Sequence, residues 1–188
     1  MKTEHIILIP ARAGTSNISR QNLRLVANKP LIYYVIKNAL KYTKHVYVST
    51  DSYEIKEISN LYGAKVIDRS KKLTKNVTKL EDIAFDALSE ICREKSFTKC
   101  LILNLKYPLI EISTIRKFFS ILSKSVQTVY GFEFNSHHQY KKIRFQGKET
   151  GRIIEDLNNC VITEKVVSFN IDRFLKTRKF SAPFFGLK

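Results

Sequence analysis

The strongest constraint on this chain is an alternation of short β-branched runs with segments of helical period. Ile6-Ile7-Leu8-Ile9 is the first run, apolar at every position and halted by Pro10, as in a strand covered on both faces. After the polar stretch Ala13 to Arg24, Pro30 reads as the first position of a helix. Leu31, Ile32, Val35, Ile36, Ala39 and Leu40 share one face of it. Val46-Tyr47-Val48-Ser49 is a second strand, and Asp51 is placed to cap a helix carrying Ile55, Ile58 and Leu61. Gly63 closes that helix in a left-handed conformation, and Lys65-Val66-Ile67 is the third strand. A helix over Thr78 to Arg93 presents Leu80, Ile83, Ala84, Ala87, Leu88 and Ile91. Cys100 to Leu103 is the fourth strand, and Ser113 is placed to cap a helix ending near Leu122. Alternation of this kind demands right-handed crossovers. It predicts an α/β fold, a mostly parallel, Rossmann-like sheet flanked by helices. Beyond residue 125 the pattern changes: Thr128 to Phe134 and Lys141 to Phe145 read as strands, and Asp172 to Lys179 as a helix. The 188 residues fit one domain, with a core over 1–125 and a strand-rich part over 126–170.

Composition excludes several classes. A chain that is 44% hydrophobic and 27% charged can bury a core, so general disorder is excluded. Ile6 to Ala11 is too short to span a bilayer and lacks the pattern of a signal peptide, so no membrane partner is expected. Cys92, Cys100 and Cys160 are odd in number and lack metal-type spacing, which reads as reduced thiols of a cytoplasmic protein. Asn-x-Ser/Thr triplets at Asn17 and Asn76 then carry no glycosylation meaning. The net charge of +16, from 33 Lys+Arg against 17 Asp+Glu, concentrates anions near the surface. Lysines on solvated faces account for it, and a polyanion-binding surface competes with that reading. No RNA-binding signature accompanies the charge, so nucleic acid is not the expected partner. His137 and His138 are adjacent and, on a strand, point to opposite faces, which prevents joint chelation. Cys160 has no visible base partner for nucleophilic work. Phe180, Phe184 and Phe185 either cover a core or form a patch for a partner chain.

In an open α/β sheet, ligands sit at the carboxyl ends of the strands. The loop there reads Ile9-Pro10-Ala11-Arg12-Ala13-Gly14-Thr15-Ser16-Asn17-Ile18-Ser19-Arg20-Gln21-Asn22. It offers a glycine, small polar side chains and two arginines suited to phosphate oxygens, without the Gly-Lys-Ser/Thr ending of a P-loop. This loop is followed in register by Lys29-Pro30-Leu31-Ile32, Val48-Ser49-Thr50-Asp51, Tyr62-Gly63-Ala64 and Arg69. Together these resemble the acylneuraminate cytidylyltransferases, which activate sialic and related nonulosonic acids as CMP-sugars. The family signature over the loop is I-P-A-R-G-G-S-K-R-I-P-R-K-N. Ile9, Pro10, Ala11, Arg12, Gly14, Ile18, Arg20 and Asn22 match it.

The resemblance implies a nucleotidyltransferase-type fold, with CTP and a nonulosonic sugar acid as substrates, pyrophosphate release, Mg²⁺ as cofactor and a homodimer. The dimer would use an arm from the second half, around Thr128 to Phe145. It also implies that Arg12 holds phosphate as the catalytic arginine, and that Ala11, Ala13, Gly14, Thr15 and Ser16 let backbone amides approach the nucleotide. Asn22 and Arg69 would touch the nucleotide, and Asn104 the sugar. The departures are equally specific. The family's lysines fall on Ser16 and Gln21, and an arginine on Asn17. Its Q-P-T-S-P-L segment reads Asn104-Leu105-Lys106-Tyr107-Pro108-Leu109. The metal-binding Asp-x-Asp pair that should follow the segment around Phe169 and Asp172 has no counterpart before Lys188. Asp51, Asp68 and Asp172 are the remaining candidates for the metal, and Lys71, Lys72, Lys75 and Lys79 could replace lost cations. Two expectations follow: a cytidylyltransferase of reduced activity, or an inactive homologue that binds or scaffolds.

Overall fold

The computed structural model describes residues 4–13, 20–74, 78–122, 128–134, 144–145, 148–149, 160–180 and 184–187. The chain opens with β1 (His5–Pro10) and, after a 3-10 turn at Gln21–Leu23, forms a hairpin of β2 (Leu25–Val26) and β3 (Lys29–Pro30). Then come α1 (Leu31–Leu40), β4 (Val46–Thr50), α2 (Tyr53–Leu61), β5 (Lys65–Asp68), α3 (Leu80–Glu94), β6 (Lys99–Ile102) and α4 (Ile112–Ile121). The last third holds β7 (Thr128–Phe134), β8 (Arg144–Phe145), β9 (Lys148–Glu149), β10 (Cys160–Asn170), α5 (Ile171–Thr177) and β11 (Phe184–Leu187).

Seven of these strands form one sheet in the order β11-β7-β10-β6-β1-β4-β5. β6, β1, β4 and β5 are mutually parallel, with Ile7 opposite both Leu101 and Val46. β10 runs against β6 and β7, while β11 is parallel to β7, so one strand of the seven opposes the rest. The sheet is therefore mostly parallel, as the alternation predicts.

The run Ile6 to Ile9 is apolar throughout because both faces of β1 are covered. Ile7 and Ile9 pack with Ile32, Val35 and Ile36 of α1, Ile55 of α2 and Phe118 and Phe119 of α4. Ile6 and Leu8 face the other way, into Ala84, Leu88 and Ile91 of α3 and Phe174 of α5. Burying a side chain of this size is worth about 1.5–3 kcal/mol, so this strand alone anchors both layers. Phe180 stacks on Phe174 and packs against Phe169, so it covers the core rather than forming an exposed patch. Cys100 is buried and Cys92 half-buried, both as free thiols.

Several boundaries differ from the sequence expectation. Ser52, not Asp51, is the N-cap of α2, its hydroxyl accepting from the Ile55 amide. Ser113 lies inside α4, whose N-cap is Glu111, and donates its hydroxyl to the Glu111 carboxylate at 2.9 Å. Pro30 precedes α1 and pairs with Leu25, because its fixed φ of −63° is followed by an extended ψ. β10 and β11 were not anticipated, although Val161, Ile162, Val166 and Val167 carry β-branched character. Of the strand expected over Lys141 to Phe145, Arg144–Phe145 is observed as β8, and the first three residues lie outside the described segments, as do His137 and His138. Gly63 behaves as expected. At φ +92° it lets its own amide reach the Asn60 carbonyl while the Ala64 amide reaches that of Ser59, the paired bonds of a Schellman cap. The hairpin turn places Ala27 and Asn28 at φ 44° and 63°, with no glycine to ease either.

Candidate functional site

Four adjacent parallel strands deliver the candidate residues to one end of the sheet. Arg12 follows β1 by two residues, Asp51 and Arg69 directly follow β4 and β5, and Asn104 follows β6 by two. The crossovers place α1 and α2 over one face and α3 over the other, so the strand order reverses between β1 and β6. Arg12 and Asn104 thus flank the crevice where such sheets bind ligands.

The bonding across these strand ends is specific. The Ala11 amide donates to the Ser49 carbonyl at 2.9 Å, extending the β1–β4 ladder to the residue before Arg12. Arg69 reaches the same carbonyl from the other side, its Nη2 donating at 2.6 Å, while its Nε donates to the Ser49 hydroxyl at 3.2 Å. The backbone of Arg69 is held as well, its amide donating to the Thr50 carbonyl at 2.8 Å. Arg69 is only 6% exposed. Burial lowers the pKa of its guanidinium, Asp51 opposes that, Arg12 adds to it, and Asp86 of α3 opposes it again. Arg12 and Arg69 therefore share one electrostatic neighbourhood. Among the described residues no carboxylate forms an ion pair with Arg69. A buried guanidinium lacking a counterion is costly and is a natural receptor for an anion.

Asn22 reaches back to the end of β1: its Nδ2 donates to the Arg12 carbonyl at 2.8 Å, which ties the 3-10 turn to Arg12. Arg20, at φ 51°, pairs with Glu54 of α2 at 2.9 Å. Ala13 lies at a bend directly after Arg12, whereas Gly14, Thr15 and Ser16 lie outside the described residues. Asn104 accepts the Lys106 amide on its Oδ1 at 2.8 Å, and its carbonyl accepts the Tyr107 amide, which makes a tight turn at the mouth of β6. An open hollow of ≈ 540 Å³, lined by Tyr33, Tyr34, Lys37, Asn38, Leu40 and Lys41, lies along α1, and none of these is a candidate site residue.

The three carboxylates considered for a metal separate in space. Asp172 opens α5 after the antiparallel strand β10, beside Thr98 and the amino end of β6, at the opposite end of the sheet from Arg12. Asp68 is engaged by Lys56 at 2.8 Å. Only Asp51 stands at the candidate site, and among the described residues no cluster of three His, Cys, Asp or Glu could hold a metal ion. Mg²⁺ usually takes one or two carboxylates together with phosphate oxygens, so of these three only Asp51 is placed where it could contribute. Two contributors escaped the sequence reading. Ser49 stood out only as part of a matching motif, and Asp86 sits on a helix with no motif around it, so its approach to Arg69 is a product of folding.

The family model described as cytidylyltransferase matches residues 6–141, more than half of the chain. The chain belongs to that family. Among curated relatives, the CMP-N,N'-diacetyllegionaminic acid synthase of Legionella pneumophila is 33% identical over 131 residues, covering 66% of this chain and 56% of the relative. The N-acylneuraminate cytidylyltransferase of Escherichia coli is 32% identical over 99 residues, 52% of this chain and 24% of that one. The chain thus matches about half, or less, of each relative's length. The family is of the acylneuraminate type. Among solved structures, a CMP:2-keto-3-deoxy-manno-octonic acid synthetase complexed with CTP superposes with a TM-score of 0.62 at 16% identity, covering 96% of this chain and 80% of that one. A cytidylyltransferase from Leptospira borgpetersenii superposes at 0.65 and 13% identity, covering 98% and 76%. At such identities the likeness shows the nucleotidyltransferase fold.

Proposed function

We propose that this cytidylyltransferase-family chain binds CTP at the carboxyl ends of β1, β4 and β5 and transfers its cytidylyl group to a sialic-acid-like sugar acid. The observation that carries the reading is the buried guanidinium of Arg69, which among the described residues forms no ion pair and lies in the electrostatic neighbourhood of Arg12. The anomeric oxygen of the sugar acid would form a bond to the α-phosphorus while the bond to the β-phosphate oxygen breaks. Pyrophosphate leaves, and the hydroxyl proton passes to water. Such a transfer depends on alignment and charge neutralisation more than on covalent chemistry. Arg12 and Arg69 would supply cationic donors to the phosphates, and Asn22 would hold the Arg12 carbonyl in place. Asn104, across the crevice, would meet the sugar.

The charge supplied is smaller than the family pattern implies, since Ser16 and Gln21 stand where lysines are expected. The reading therefore includes slow turnover, and nothing in it is routed through a metal. The homodimer that the resemblance implies would not form through β7 at Thr128 to Gly131, where β10 and β11 occupy both edges within the sheet. Sedimentation velocity tests whether the homodimer forms. Calorimetric titration with CTP tests the central reading: the wild-type chain binds, and Arg12→Ala loses on the order of tenfold or more in affinity, the worth of one charge-assisted contact. Equal affinity of both proteins removes Arg12 from the site.

A further inference from the structure

We infer that Ser49 is a positioning residue for nucleotide binding, acting through Arg69; the inference rests on the proposed CTP site. Ser49 is fully buried at the carboxyl end of β4 and touches the two flanking strands at once. Its carbonyl accepts both the Ala11 amide from β1 and Nη2 of Arg69 beyond β5, and its hydroxyl accepts Nε of the same guanidinium. A guanidinium has five N–H donors in a rigid plane. Ser49 takes two of them along the Nε–Nη2 edge, which fixes the plane and leaves the end-on Nη1–Nη2 edge for an anion.

Because Ala11 hangs on the same carbonyl, the start of the Arg12 loop and the plane of Arg69 share one reference point. Neither the Ser49 hydroxyl nor its carbonyl needs to touch a ligand for this role. The chemistry selected is a bidentate anion, such as two oxygens of a phosphate, meeting the Nη1–Nη2 end of the guanidinium. Asp51 and Asp86 act on Arg69 through space without pairing with it, so the clasp is the main geometric restraint on the side chain.

The test is a double-mutant cycle read by CTP titration of the intact chain. Ser49→Ala removes the Nε acceptor and should weaken CTP by about tenfold, the worth of one hydrogen bond to a charged group. In an Arg69→Ala background the same change should cost nothing further, because there is no plane left to orient. Arg69→Lys keeps the charge but cannot form the two-point clasp, and should bind CTP about as weakly as Arg69→Ala. Full affinity in Ser49→Ala, an undiminished loss in the Arg69→Ala background, or full affinity in Arg69→Lys each overturns the positioning role while leaving the CTP site standing. Absence of CTP binding by the wild type overturns the site itself, and the positioning role with it.

Discussion

The guanidinium of Arg69 grips Ser49 at two points, Nη2 at 2.6 Å from the carbonyl and Nε at 3.2 Å from the hydroxyl, while remaining 94% buried at the end of the sheet. A cation that forms no ion pair among the described residues gains its use when an anion arrives. Removing it by Arg69→Met should leave the fold intact or slightly more stable, since an apolar side chain replaces a desolvated charge. CTP affinity should fall at the same time by on the order of tenfold or more. Thermal melting and calorimetry, run on the same samples, check the two opposed effects. A large loss of stability would show that Arg69 is structural.

The Asn22 amide bonded to the Arg12 carbonyl should matter more for binding than for stability. Asn22→Ala removes one half-buried hydrogen bond and should cost about 1 kcal/mol on a urea denaturation curve. By freeing the Arg12 carbonyl, the same change should weaken CTP by more than the stability loss alone accounts for. Unchanged CTP affinity would mean the loop is held by other contacts.

Two left-handed positions make predictions of opposite sign. A Cβ at Gly63 would meet Leu40 Cδ1 at an ordinary 3.5 Å, so Gly63→Ala costs backbone strain at φ +92° and no clash, about 1–2 kcal/mol. Ala27→Gly in the β2–β3 turn relieves a φ of 44° and should stabilise by up to about 1 kcal/mol. Urea midpoints measure both.

The fold was legible where a residue's environment is set locally. Ile6 to Ile9 announced a doubly covered strand, the Thr128–Phe134 strand was read with its observed bounds, and Gly63 with its observed role. Legibility failed where direction or register decides. Asp172 appears beside a functional segment in the sequence, but β10 runs antiparallel and delivers it to the wrong end of the sheet. Asp51 and Ser52 are both good caps by type, and only the entry angle of the chain selects Ser52. At the candidate site, Arg12, Asn22, Arg69 and Asn104 were named from a motif. The Ser49 clasp and the approach of Asp86 depend on how strands pair and how α3 packs, which no motif encodes.

Acidification should destabilise the chain before its carboxylates titrate. Burial lowers the pKa of both His5 and His45 from the ordinary 6.5, with nearby lysines pushing the same way. In this direction the unfolded chain binds more protons than the native one. Stability is therefore full above about pH 6.5 and is lost as pH falls toward the lowered native values. Urea denaturation at pH 7.5, 6.5 and 5.5 should show the decline, and His45→Gln should flatten it. An identical slope in the variant would assign the decline to other groups.

Pyrophosphate release, measured with CTP, Mg²⁺ in the buffer and a panel of nonulosonic acids, decides whether the chain transfers a cytidylyl group. Slow release is expected that requires both CTP and a sugar acid, and that falls by on the order of a hundredfold in Arg12→Ala. CTP binding without any acid-dependent release would contradict it, and would make the chain a nucleotide-binding scaffold on a cytidylyltransferase fold.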